Sequence, residues 1–139
     1  MRRAEIIERL EKAEGASLEL EGRVWCAVNG YEFVQWDGAG CVYRDPGSPA
    51  WDSGIKHADA RTVRPFTASL DSTIALVERT LPGWLISICQ HANKMWQADL
   101  VPPGGNLSGN ICASGLTTAP IALLCCLFRA LEAKETRHG

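Results

Sequence analysis

The sequence predicts an α/β (α+β) domain: a small antiparallel or mixed sheet flanked by helices, an α-β-α sandwich. Three observations carry that reading. Apolar residues recur at helical spacing near both ends of the chain and once in its middle. Between those stretches lie short alternating runs separated by Gly- and Asn-containing turns. The length, 139 residues, suits a single domain with one core.

Residues 4–14 read as a helix. Ile6, Leu10 and Ala13 share one face, and Glu5/Arg9 and Glu8/Lys12 are i,i+4 pairs in the favourable orientation. Gly15 marks its end. Residues 18–29 allow two readings. Ser17 can cap a helix whose inner face is Leu20, Val24, Ala27 and Val28, closing at Asn29-Gly30. Yet Val24, Cys26 and Val28 alternate, and Asn29-Gly30 before Tyr31 and Phe33 is a hairpin signal.

Residues 31–36 and 41–43 flank Asp37-Gly38-Ala39-Gly40 and predict a hairpin. Residues 45–61, with Pro46, Gly47, Pro49 and Gly54, have no periodicity and read as a long surface loop. Thr67 or Ser69 caps a helix over 69–81, with Leu70, Ile74, Val77 and Leu81 as its inner stripe. Residues 84–89 and 95–101 are strands joined through His91–Lys94, and 102–110 is a loop. Thr117 or Thr118 caps a last helix that runs to about Lys134, with Pro120 tolerated in its first turn. That helix is apolar almost all round, so it sits centrally or packs against another chain. A homo-oligomer through residues 119–131 is the expectation. The predicted order is α, α, β, β, α, β, β, α, with N-terminal helices over 4–29 and the sheet and remaining helices over 31–134.

The formal net charge of −2 argues against general nucleic-acid binding, which needs a basic face. No apolar run reaches the ~18 residues of a membrane span. The Met-Arg-Arg start turns acidic and amphipathic, unlike a signal peptide. The six cysteines form no C-x-x-C pair and have mostly apolar neighbours, which fits buried thiols in a cytoplasmic protein.

The stretches Glu5–Gly15, Ser17–Leu20, Phe66–Asp71, Ala75-Leu76, Pro82-Gly83-Trp84, Thr118–Cys125 and Arg129–Leu131 resemble a family of small phage and prophage proteins. It is the uncharacterised phage "ABA sandwich" group. The likeness skips residues 37–61. It implies a helix at 18–29, an α-β-α sandwich and an origin in a mobile element, hence the cytoplasm of a bacterial host. It brings no catalytic residues.

Candidate chemistry is sparse. Cys89 and His91, His57, and Cys125-Cys126 do not make a zinc set, because adjacent helical residues point ~100° apart. Cys89 with His91 is the one local nucleophile–base pairing, and a buried thiol followed by a loop histidine is the favoured explanation of it. No G-x-S-x-G, Walker or dinucleotide fingerprint is present. We therefore expect neither an enzyme nor a cofactor or metal. Two features suggest ligand binding. The loop 102–118 empties into a helix start at Thr117-Thr118, where free N–H groups and hydroxyls suit an anion. Trp25, Tyr31, Phe33, Trp36, Tyr43 and Trp51 cluster in sequence, with Trp36 and Trp51 beside polar turns; Arg44, Lys56, Arg61 and Arg64 lie near them. The candidate ligand-binding set is Trp36, Trp51, Arg44, Arg61, Arg64, Thr117 and Thr118.

The functional expectation is an accessory binding protein of phage or prophage origin. It would be a counter-defence sponge sequestering a cyclic or other phosphorylated nucleotide. The alternatives are a protein–protein inhibitor of a host defence complex and a structural oligomer with no small-molecule ligand.

Overall fold

The computed structural model describes residues 3–104 and 109–138. It is a mixed α+β fold with helices flanking two separate three-stranded antiparallel sheets.

Helix α1 spans Arg3–Lys12 and buries Ile6 and Leu10. Helix α2 spans Leu18–Asn29, so the helical reading of that stretch holds. The Ser17 hydroxyl accepts the Leu20 N–H at 3.2 Å. Gly30, at φ 77°, closes the helix in the left-handed region that glycine adopts without penalty.

Strands β1 (Glu32–Trp36), β2 (Gly40–Arg44) and β3 (Ile55–Asp59) form the first sheet in that order. The Asp37 carboxylate accepts the N–H groups of Ala39 and Gly40, both at 3.0 Å, and so shapes the β1–β2 turn. The stretch 45–61 is thus not loop throughout, as its sequence suggested. Strand β3 pairs with β2 from Arg44↔Ile55 to Gly40↔Asp59. It escaped notice because only Ala58 of its five residues is buried, leaving no hydrophobic alternation to read.

Helix α3 (Leu70–Thr80) starts at Ser69, whose hydroxyl accepts the Ser72 N–H. Strands β4 (Leu85–Gln90), β5 (Trp96–Val101) and β6 (Ile111–Leu116) make the second sheet. Strand β6 lies inside the region expected to be a loop leading to the last helix. Its Cys-Ala-Ser-Gly composition is poor in strand formers, and its pairing with β5 is irregular between Trp96 and Ala98. Residues 105–108 of that expected loop lie outside the described residues.

Helix α4 spans Ala119–His138. Every residue from Ile121 to Phe128 is fully buried within the single chain. The second sheet covers one side of α4, and α1 and α3 cover others. Of the two positions the sequence allows for this helix, central or against another chain, the fold takes the first: the apolar surface from Ile121 to Phe128 is buried inside the protomer. Burying one Leu, Ile or Phe side chain is worth about 1.5–3 kcal/mol, so α4 is the principal organiser of the core.

The first sheet docks on α2 through a smaller apolar cluster. Cys26, Cys41, Ala58 and Val63 are its buried members, with Trp25, Tyr31, Phe33, Trp36 and Tyr43 packed around them. The approach is close at Gly22, where a Cβ would stand 2.9 Å from the Phe33 ring. Among the described residues, no helix is long and apolar enough to cross a membrane.

Candidate functional site

Two threonines set the position of the connection between β3 and α3. The buried Thr67 hydroxyl accepts the Ser17 N–H at 2.9 Å and donates to the Glu21 carboxylate at 2.8 Å, which ties the segment to α2. The buried Thr73 hydroxyl donates to the Phe66 carbonyl at 2.7 Å, which ties it to α3. At its start, Asp59 accepts the N–H groups of Arg61 and Thr62 and the Thr62 hydroxyl. Those contacts hold the Asp59 carboxyl below its usual range, the Thr62 N–H most strongly. Val63 and Phe66 point into apolar clusters, while Thr62 and Arg64 face outward.

The result is a groove of about 440 Å³ between α2, the 62–66 segment and α3. That volume falls within the roughly 300–1,000 Å³ of small-molecule sites. Trp25 and Asn29, one turn apart, come from α2. Asp71, Ala75 and Arg79, spaced by four, come from one face of α3. The small Ala75 leaves room along that face. Asp71 and Arg79 stand ~12 Å apart along the helix axis, by the 1.5 Å rise per residue. That face of α3 is thus acidic at one end and basic at the other, and Arg64 adds a second cation to the groove. Among the described residues, neither Arg64 nor Arg79 takes part in an ion pair. Two guanidinium groups are left with their forked donors available to a planar anion.

Trp25 belongs to an aromatic trio at the rear of the groove. Its ring centroid lies 5.4 Å from that of Tyr31 and 5.0 Å from that of Tyr43, and the two tyrosines stack at 4.6 Å. The indole is half-buried and oriented by these contacts, which suits a stacking wall.

A second groove, of about 430 Å³, lies at the α1–α2 corner. Its cations are already engaged: Arg9 and Arg23 with Glu19 at 3.6 and 2.8 Å, and Lys12 with Glu8 at 2.7 Å. It carries no comparable anion preference.

The residues selected from the sequence do not converge. Arg64 lines the groove, and the other six do not. Trp36 packs beneath the first sheet, with its indole Nε1 buried and, among the described residues, without a hydrogen-bond partner. Trp51 is 87% exposed in the β2–β3 connection. Arg44 is held by Glu32, Nε to Oε2 at 2.7 Å. Arg61 is exposed in the turn that Asp59 organises. The Thr117 hydroxyl donates to the Ala13 carbonyl at 2.9 Å, and Thr118 accepts the Ile121 N–H as the cap of α4. Both hydroxyls are therefore occupied in holding α4 in place.

The chain matches no protein-family model, curated protein or solved structure. Among the described residues no hydrogen bond joins Cys89 to His91, whose Nε2 lies 2.7 Å from the Gln97 side-chain oxygen. Among the described residues, no three metal-ligating side chains converge.

Asn29, Asp71 and Arg79 were missed in the sequence because each looks like an ordinary solvated helix residue. The available signal was the Asp71–Ala75–Arg79 spacing, a charged face with a small residue at its centre.

Proposed function

We propose that the protein is a binding module that holds a phosphorylated nucleotide in the α2–α3 groove, without chemistry on it. The observation that carries this reading is that Arg64 and Arg79, without an ion-pair partner among the described residues, share one groove with Trp25. The guanidinium groups supply charge-assisted hydrogen bonds to phosphate oxygens. The indole offers a face or edge to a base. Asp71, at the acidic end, accepts from sugar hydroxyls or an exocyclic amine. The resemblance to phage ABA sandwich proteins supports a mobile-element origin and a site of action in the bacterial cytoplasm. There a binder without turnover acts by sequestering a signal.

A thermal-shift screen against cyclic and linear nucleotides tests the proposal. Ligand at ~100 times its dissociation constant adds about 2.7 kcal/mol, several degrees for a domain of this size. No shift with any nucleotide rejects it.

A second reading has its own observation. Trp51 at 87%, Ile55 at 50% and Val34 at 49% are exposed apolar side chains of the first sheet and its β2–β3 connection. Exposed tryptophan favours a protein partner, which fits an inhibitor of a host defence complex. Trp51→Ala separates the two: it abolishes inhibition on that reading and leaves nucleotide binding unchanged on the first.

A further inference from the structure

Six free cysteines are distributed unevenly. Cys89 and Cys112 are exposed, on the two outer strands of the second sheet, opposite Gln97 and Asp99 of β5 respectively. Cys125 and Cys126 are adjacent on α4 and diverge by ~100°. Cys26 and Cys41 are different. Their sulfurs stand 3.6 Å apart, one on α2 and one on β2, at the centre of the cluster that joins the first sheet to the rest of the molecule.

We infer that Cys26 and Cys41 form a modification site, an oxidisable dithiol at which a hydroperoxide closes a disulfide between α2 and β2. The sulfurs need to approach by about 1.5 Å to reach a bonded separation of ~2.05 Å. One sulfur attacks the peroxide oxygen, giving a sulfenic acid and releasing water from hydrogen peroxide. The second sulfur then displaces the hydroxyl, which leaves as a second water. Two thiols lose two electrons and two protons, and the peroxide is reduced to two waters. Burial raises both thiols above their ordinary range, Cys26 strongly, which keeps the thiolate scarce and makes the reaction slow. A small peroxide reaches such a site during local opening of the first sheet, whereas larger oxidants are excluded. The product is a staple that fixes the first sheet to α2 by constraining the opened chain. This assignment does not depend on what the α2–α3 groove binds.

The test uses the full chain carrying Cys89→Ser and Cys112→Ser, which removes the exposed thiols. The folded protein is treated with hydrogen peroxide, quenched, unfolded, alkylated and digested with trypsin. Arg23 and Arg44 place both cysteines in one peptide, residues 24–44. The expected product is that peptide, two hydrogens lighter and without alkyl groups. It is accompanied by a higher melting temperature that a dithiol reductant reverses. The same peptide from the unsubstituted protein gives the same readout. Recovery of the peptide with both cysteines alkylated overturns the inference. So does a stable sulfinic acid at either position, or loss of the two hydrogens only when urea is present during oxidation.

Discussion

Trp25 and Tyr43 meet edge to face across the boundary between α2 and the first sheet, with ring centroids 5.0 Å apart and planes at 74°. The contact makes the outer sheet and the wall of the groove one mechanical unit. A double-mutant cycle on Trp25 and Tyr43, read by urea unfolding, is expected to give a coupling of about 0.5–1.5 kcal/mol. Additive losses would mean that the sheet docks independently of the indole.

The segment carrying Arg64 depends on a buried hydroxyl. In Thr73→Val the Phe66 carbonyl loses the donor that lies 2.7 Å away. The expected cost is about 1–3 kcal/mol of stability. Weaker ligand binding should accompany it, since Arg64 is two residues from the freed carbonyl. Unchanged stability by denaturant titration contradicts the role given to Thr73.

Helix α4 and the exposed loop tryptophan are expected to behave oppositely. Phe128→Ala opens a cavity in a fully buried position and should cost about 3–5 kcal/mol. Because the burial is within one chain, the loss should be the same at low and high protein concentration. Trp51→Ala should change stability by no more than about 0.5 kcal/mol. Calorimetry of both variants at two concentrations decides the matter.

Acid should weaken the first sheet. The Asp37 carboxyl is held low by the Ala39 N–H, by His57 at 3.2 Å and by the Gly40 N–H. A depressed carboxyl contributes stability above its unfolded value, near 3.8, and that contribution is lost as pH falls from there through the folded value. Asp59 follows the same sign in the β3–α3 turn. Asp37→Asn is expected to melt below wild type at neutral pH, with the gap closing below about pH 3.8. A gap that persists unchanged at low pH contradicts the electrostatic account.

Much of the fold was legible because four helices and two hairpins announce themselves locally. Ser17, Ser69 and Thr118 cap where their sequence contexts indicate, and Gly30 terminates where a left-handed residue is needed. Strands β3 and β6 were not legible. Ile55-Lys-His-Ala-Asp59 buries one alanine, and β6 buries only Ala113 and Leu116, so backbone pairing rather than side-chain pattern specifies them. The division into two sheets is equally silent in the sequence, because an alternating strand does not name its neighbour. At the site, Arg64 was found through its place beside aromatic residues. Arg79 was not, because its partners come from α2 and the 62–66 segment. Trp36 and Trp51 illustrate the converse: neighbours in the same Gly/Pro-rich region, one packed beneath a sheet and the other almost fully exposed.

The central claim is that Arg64 and Arg79 act together on a phosphate in the α2–α3 groove. It is tested most directly by calorimetric titration of wild type and Arg64→Ala/Arg79→Ala with the nucleotide that shifts the melting temperature most. Each charged hydrogen bond is worth about 1.5–3 kcal/mol, so the double variant should bind at least ~100-fold more weakly while its unliganded melting temperature stays near that of wild type. Equal affinity of the two proteins would contradict the account.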